Sequence, residues 1–456
     1  MAMTMNRAER RRQERIGRRS AKAPPVPDAD GAFAEAVNHQ RAGHLRPAKR
    51  IYERILRAQP KHADALHLLG VLESQAGRHG AAAGLINKAI RINPHYAESH
   101  YNLGNTLTAR GDVDEAVASY RRAIDITPTY AKAHYNLGNA LHERGRPDEA
   151  IASYERAIEI DPNHAKAHFN LAKALAGQGR PDEAIAGYRR AIAVDPGSEK
   201  AHRNLGALLM DQGRPDDALG NYQRALAINP DSQSTRHLIA ALTGATPDTA
   251  PAEYVKEVFD EYAEGFDAHL VNDLSYQAPK ELRAMLTGFL PSRALCTHAI
   301  DLGCGTGLAG AKFRDLTEEL WGVDVSPQMI ARAAKKNIYD HLETSEIVNY
   351  LKTSNSIFDV FVAADVFIYI GDLRELLSQV YRTAGGGAFF VFSTELHDGD
   401  GFVLRETARY AHAHAYVENV LRQNGFSIVD HKTAPIRKER GSPVSGCYYI
   451  AKVEQK

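Results

Sequence analysis

One spacing constrains this chain more than any other feature: a period of 34 residues running through its first half. Glycine recurs at Gly43, Gly77, Gly111, Gly145, Gly179 and Gly213, and proline at Pro60, Pro94, Pro128, Pro162, Pro196 and Pro230. Ala48, Ala82, Ala116, Ala150, Ala184 and Ala218 hold a third fixed position. Self-similarity at this period marks an array of small helical units, each burying its apolar face against the next. The unit is clearest in AKAHYNLGNALHERGRPDEAIASYERAIEIDPNH (131–164), where AKAHYNLGNALHER and PDEAIASYERAIEI each place apolar residues at helical intervals. Gly145 suits the left-handed residue that follows a helix end, and Pro162 stops the second helix. Pro147 and the acids behind it suit the positive N-terminal end of that second helix. Small residues at Gly138 and Ala150 let the pair approach closely.

The pattern resembles the tetratricopeptide repeat, in six copies over 29–232, followed by a capping helix and linker over 233–250. That resemblance implies an all-helical superhelix whose concave face is built from the fifth, sixth and ninth positions of each first helix. The fifth positions are Phe33, His67, Tyr101, Tyr135, Phe169 and Arg203. The sixth carry Asn102, Asn136, Asn170 and Asn204, and the ninth Asn105, Asn139 and Lys173. Two readings of the asparagine row stand open. In one, the amides form a ladder that pairs with the backbone of a protein or peptide substrate lying in the concave surface. Tyr101, Asn102, Tyr135, Asn136, Phe169, Asn170 and Asn204 are then substrate-binding. In the other, the asparagines are repeat consensus and satisfy neighbouring helix ends. Ala34 and Leu68 confine any ladder to repeats three to six.

The texture changes after TGATPDTAP (243–251), which breaks the helical pattern. Over 251–456 strands alternate with helices. THAIDL and LWGVDV are strands, SPQMIARAAKK is a helix opened by Ser326 and Pro327, and FDVFVAADVFIYI and GAFFVFSTE are buried strands. FSIVDHK and CYYIAKV form a final pair. Such alternation predicts a doubly wound α/β sheet whose ligand lies beyond the carboxyl ends of its strands.

Between the first strand and the next helix runs DLGCGTGLAG (301–310). A triphosphate loop needs the Lys and hydroxyl of GxxxxGK[ST], which are absent. Gly305, Gly307 and Gly310 supply a literal GxGxxG, yet Asp301 at the strand end would repel a pyrophosphate and attract a cationic or amino-bearing ligand. Acid, one apolar residue and GxGxG together resemble motif I of class I S-adenosylmethionine-dependent methyltransferases, and VDVSPQMI resembles their second motif. The resemblance covers about 255–456 and implies a Rossmann-like domain with S-adenosylmethionine as cofactor. By it, Asp301, Gly303, Gly305 and Gly307 surround the methionine end, where a side chain at Gly303 or Gly305 would collide with the ligand. Asp324 accepts from both ribose hydroxyls, Glu346 lies at the adenine, and Ala364 and Asp365 lie beside the sulfonium. For Asp365 a helix cap or structural acid is the competing reading.

Two segments are candidates for the methyl acceptor. RYAHAHAYVENVLRQNGF (409–426) has a helical pattern and supplies Arg409, Tyr410 and His412 as candidate catalytic residues, with His412 a base near neutral pH. IRKERGSPVSG (436–446) is a polar insertion that supplies Arg437 and Glu439. Related repeat-methyltransferases carry similar RYAH and R-x-E-x-G-x-P-V segments. The function implied is methylation of a protein or peptide acceptor selected by the repeats. A repeat scaffold carrying a small-metabolite methyltransferase, or a cofactor-sensing domain, is the alternative.

Residues 1–28 form a basic tail, with eight Arg and Lys before Pro24, expected to be a solvated arm. Net charge is zero, so no specific nucleic-acid partner is expected. No apolar run approaches the roughly 18 residues of a membrane span. Three cysteines, Cys296, Cys304 and Cys447, suit neither a disulfide framework nor a zinc site, and a cytoplasmic setting is expected.

Overall fold

The computed structural model describes residues 29–262, 266–268, 270, 274, 276–290, 296–439 and 442–454; the basic tail expected over 1–28 lies outside them. The chain forms two compact units, Met1–Asp211 and Gln212–Lys456.

In the first unit, paired helices run from Ala29–Arg41 to Glu199–Asp211. The period is visible in the backbone: the six periodic glycines, of which Gly213 opens the second unit, all take positive φ, between 67° and 91°. Gly138 is small for a packing reason, because a Cβ there would come within 2.5 Å of the Tyr154 ring. Ala150 on the facing helix is fully buried. A further periodic device escaped the sequence reading. His100, His134 and His168 place Nε2 3.0, 3.0 and 2.9 Å from the carbonyls of Pro94, Pro128 and Pro162. Each histidine thereby ties a repeat to the turn that precedes it.

The second unit begins earlier than the expected boundary at 243–251. The helix Gln233–Thr243 is not a plain solvent cap. Ala241 and the partly buried Leu238 pack with Ile368, Tyr369, Leu404, Ala408 and Tyr410, and His237 Nε2 lies 3.1 Å from the Ala408 carbonyl. The segment read as a linker is also pinned. The Asp248 carbonyl accepts from Gly371 N at 2.9 Å and Asp372 N at 2.7 Å, and Ala250 N donates to the Tyr369 carbonyl at 2.9 Å.

The sheet contains β1 (Cys296–Leu302), β2 (Thr317–Asp324), β3 (His341–Thr344), β4 (Phe358–Ala363), β5 (Ala384–Leu396), β6 (Phe402–Leu404), β7 (Tyr410–His412), β8 (Phe426–Glu439) and β9 (Ser442–Val453). Its order is β3-β2-β1-β4-β5-β7-β6, with β9 antiparallel on β5 and β8 antiparallel on β9. β1 pairs in parallel with both β2 and β4, so strand order reverses there, and the crevice over their carboxyl ends is the expected ligand position. The core is apolar and aromatic, with Phe361, Phe367, Phe390, Phe392 and Tyr449 at its centre. Two local expectations are corrected. The 409–426 stretch is not one helix: Tyr410–His412 is a strand, and the helix spans His414–Gln423. The 436–446 stretch is not an insertion, because β8 runs to Glu439 and pairs with β9 along its length. Among the described residues, no helix is long and apolar enough to cross a membrane.

Candidate active site

Backbone hydrogen bonds fold the glycine turn onto the end of β2. Gly303 N and Cys304 N both donate to the Val323 carbonyl, at 2.8 and 3.0 Å. Gly305 N donates to Asp324 Oδ2 at 2.9 Å, while Ser326 N donates to Asp324 Oδ1 at 2.8 Å. Ser326 Oγ accepts from Met329 N at 3.1 Å, capping the helix Pro327–Lys335. One carboxylate therefore fixes both the turn and the next helix start, and it faces a cavity of about 560 Å³. Burial pushes the Asp324 carboxyl above its ordinary range, against the backbone donors that favour the ion.

The cavity lies over the switch point and is lined by Gly303, Gly305 and Thr306 after β1, Asp324 after β2, Glu346 and Asn349 after β3, and Ala364 and Asp365 after β4. The reason for Gly303 differs from the expected one. A Cβ there would meet Val366 Cγ2 at 2.7 Å, inside the protein, in a backbone with φ +70°. At Gly305 a Cβ would make only ordinary contact with the Phe266 ring, at 3.8 Å, and the constraint is φ +53°. Asp301 lies behind the turn, 1% exposed, accepting from Tyr339 Oη at 2.7 Å. Burial raises its carboxyl to about 7. It does not line the cavity; Gly307 lies behind it too, its Cβ position facing the Tyr339 ring. Glu346 caps the helix Ile347–Thr353 by accepting from Val348 N at 3.4 Å and Asn349 N at 3.2 Å.

At the other end stands a buried charge network. Asp365, at φ +61°, accepts from Arg437 Nη1 through both oxygens, at 2.8 and 2.9 Å, and Arg437 also donates to Glu395. Arg437 is 3% exposed. Arg409 pairs with Glu439 at 3.1 Å. Arg409 and Arg437 both line the cavity, so the two candidate acceptor segments meet here.

His412 and Tyr410 do not share that surface. His412 is fully buried on β7, with Nε2 2.9 Å from the Ile370 carbonyl and 3.0 Å from that of Gly371. Burial lowers its pKa to about 4, so it is a neutral donor bracing the 370–371 backbone rather than a base near pH 7. Tyr410 is likewise fully buried, in the cluster with Tyr369 and Ala241. Sequence reading missed the cavity's remaining wall. Val255 and Phe259 of the helix Ala252–Tyr262, then Phe266 and Tyr276, line it. Phe259 packs edge-on against both Phe266 and Tyr369, at 5.8 and 5.4 Å. The apolar spacing of that helix was the available signal. Asp267 closes the arrangement by accepting from Thr306 Oγ1 and from Lys336 Nζ, the latter at 2.7 Å.

The asparagine row is engaged within the first unit. Asn136 Nδ2 donates to Asn105 Oδ1 at 2.8 Å and Tyr101 Oη at 3.2 Å, and Asn170 repeats this with Asn139 and Tyr135 at the same distances. Asn102 Nδ2 lies 2.8 Å from His67 Nε2, and Asn204 Nδ2 3.4 Å from Tyr188 Oη. The Tyr135 ring lies tilted against His164, and Phe169 sits edge-on to Tyr188, with centroids 4.7 and 5.6 Å apart. The amides tie repeat to repeat, while Phe169 packs against the second helix of its own repeat.

Comparison with known proteins agrees with both halves. Models described as TPR repeat match 104–145 and 138–179, models described as tetratricopeptide repeat match 33–97, 85–118 and 169–233, and a model described as methyltransferase domain matches 300–390. A malonyl-[acyl-carrier protein] O-methyltransferase of Enterobacter lignolyticus is 27% identical over 123 residues, 26% of this chain and 48% of that one. Its Salmonella typhimurium counterpart is 24% identical over 177 residues, 39% of this chain and 66% of the other. The chain thus spans about half to two thirds of the length of these curated relatives. Among solved structures, that of MamA is 28% identical and covers 36% of this chain and 96% of its own, at a TM-score of 0.34. The protein joins a tetratricopeptide-repeat superhelix to a Rossmann-like methyltransferase domain.

Proposed function

We propose that the second unit uses S-adenosylmethionine and that the acceptor is a protein, or a group carried on one, recruited through the repeats. The observation that carries the cofactor reading is Asp324, a buried carboxylate at the end of β2 that lines the cavity beside the glycine turn it holds. Its oxygens each retain a lone pair for a ribose hydroxyl after taking one backbone N–H. Gly303 to Thr306 would hold the methionine end, Glu346 and Asn349 the adenine, and Ala364 and Asp365 the region of the sulfonium. The cavity's volume suits a ligand of this size. When bound, the cofactor supplies an activated methyl group, and this chain's part is to align the acceptor and exclude water. The relatives' name favours a second form of the reading: a small acyl group presented on a carrier protein.

Calorimetry with S-adenosylhomocysteine and with NAD tests the cofactor, and tighter binding of NAD would overturn it. Asp324→Ala removes two bonds to a charged acceptor, each contributing at most roughly 1.5–3 kcal/mol, so affinity should drop at least tenfold. Incubating the full chain with methyl-labelled cofactor and fractionated lysate tests the acceptor. Label confined to free small molecules would overturn a protein-borne one.

A further inference from the structure

The chain's zero net charge conceals a reversal of sign along the repeats. The second position of each first helix reads Asp30, Asp64 and Glu98, then Lys132, Lys166 and Lys200, one per repeat and all exposed. Glu35 adds negative charge to repeat one, while Lys173 and Arg203 add positive charge to repeats five and six, Arg203 lying 3.8 Å from Glu199. At the second helices both signs meet, as in Arg146 with Glu149 at 2.6 Å and Arg180 with Glu183 at 2.7 Å. The sorting therefore belongs to the first helices.

Those helices are held side by side. Asn102, Asn136 and Asn170 each reach a side chain on the preceding first helix at 2.8 Å. Half-buried rings pair across the repeat boundaries beside the charges: Phe33 with His62, Tyr101 with Tyr130 and Tyr135 with His164, centroids 5.2, 5.0 and 4.7 Å apart. Glu98 accepts from Tyr96 Oη at 2.6 Å, next to the His67 ring. The two ends feel opposite fields. Burial lowers the pKa of His67 against the pull of Glu98 and Asp64, whereas burial lowers that of His164 with Lys166 pushing the same way. The result is a strip of rings that is acidic over repeats one to three and basic over repeats four to six.

We infer that this strip docks a protein segment whose own charges are segregated, with an acidic stretch on repeats four to six and a basic stretch on repeats one to three. This rests on the reading above that the repeats recruit the acceptor. A nucleic acid matches only half of the strip, because its phosphates would meet Asp30, Asp64 and Glu98; a polypeptide can carry both signs in order. One exposed charge contributes little, but a fixed row facing a complementary row sets the direction of docking and rejects the reverse. The rings give the basic stretch aromatic faces to lie on.

The test uses the full chain and two peptides of identical composition. One has four Lys-Ser pairs followed by four Glu-Ser pairs, and in the other lysine and glutamate alternate between the serines. The block peptide should bind at least about fivefold tighter, and its advantage should shrink as salt rises from about 50 to about 500 mM. Lys132→Glu, Lys166→Glu and Lys200→Glu together should erase the advantage. Adding Asp30→Lys, Asp64→Lys and Glu98→Lys inverts the strip, and the advantage should return with the peptide docked the other way round. All six side chains are exposed, so helical circular dichroism should stay unchanged and report that the variants fold. Equal binding of the two peptides, an advantage that survives the three lysine reversals, or single-stranded DNA bound as tightly as the block peptide would overturn the inference. Peptide binding is read without methyl transfer, so such a failure leaves the recruitment reading to its own assay. Label confined to free small molecules would instead overturn recruitment and leave the peptide result standing.

Discussion

Replacing Asn136 and Asn170 together with alanine separates a structural asparagine row from a peptide-binding ladder. Each asparagine donates two inter-repeat bonds, one at 2.8 Å to an amide oxygen and one at 3.2 Å to a phenol. Counting the shorter at about 1 kcal/mol and the longer at about 0.5, each site contributes about 1.5 kcal/mol and the pair about 3. No larger penalty from an orphaned acceptor is expected, because Asn105 Oδ1 and Asn139 Oδ1 still accept from Tyr120 Oη and Tyr154 Oη, each at 2.9 Å. With an m-value of roughly 3 kcal/mol/M, the urea midpoint of the repeats should fall by about 1 M, followed by helical circular dichroism. The substituted bonds lie between adjacent repeats, so the loss should appear in the repeat transition and leave S-adenosylhomocysteine affinity unchanged. A stability change below about 0.5 kcal/mol, together with weaker binding of the protein acceptor, would refute this reasoning and restore the ladder.

Two buried groups should oppose each other in the pH profile of the second unit. Asp301 rises from 3.8 to about 7, so its contribution is fully present below 3.8 and is lost as pH climbs toward 7. His412 falls from 6.5 to about 4, so its contribution is present above 6.5 and is lost as pH drops toward 4. The shifts correspond to about 4 and about 3 kcal/mol. Asp301→Asn should therefore expose acid sensitivity, and His412→Gln should expose loss of stability from pH 4 to 7; identical Tm-versus-pH curves for all three proteins would contradict both assignments. Gly305→Val places a β-branched residue at φ +53° beside Asp324 and should abolish S-adenosylhomocysteine binding while repeat helicity persists. Cooperative loss of the repeat signal would show that the units depend on one another. His412→Ala leaves the Ile370 and Gly371 carbonyls without their donor and should cost about 2–4 kcal/mol in denaturant unfolding, by lost hydrogen bonding plus the cavity left behind. A shift under 1 kcal/mol would show that the ring does not brace that loop.

Much of this protein is legible from residue order because the relevant physics is local or periodic. Gly145 ends a helix through its own φ, Pro147 starts one through its missing N–H, and a 34-residue repeat forces neighbours to stack. The glycine turn and Asp324 are equally local, since β1 runs directly into one and β2 ends on the other. What residue order left undecided is which polar groups face solvent. His412 and Arg409 stand three residues apart, yet β7 buries the first under the 370–371 backbone while the turn at Ala408 aims the second into the cavity. Arg437 acquires its role only because β8 and β9 fold as a long hairpin that carries it to Asp365, 72 residues away in sequence. The asparagines stand open between ladder and repeat consensus in residue order, and only the partners from the preceding repeat, at 2.8 Å, show how Asn136 and Asn170 are engaged. Repeats, turns and helix ends were fixed by the sequence itself; the pairing of buried charges and amides was decided by tertiary structure, because desolvation and partner geometry exist only once distant segments meet.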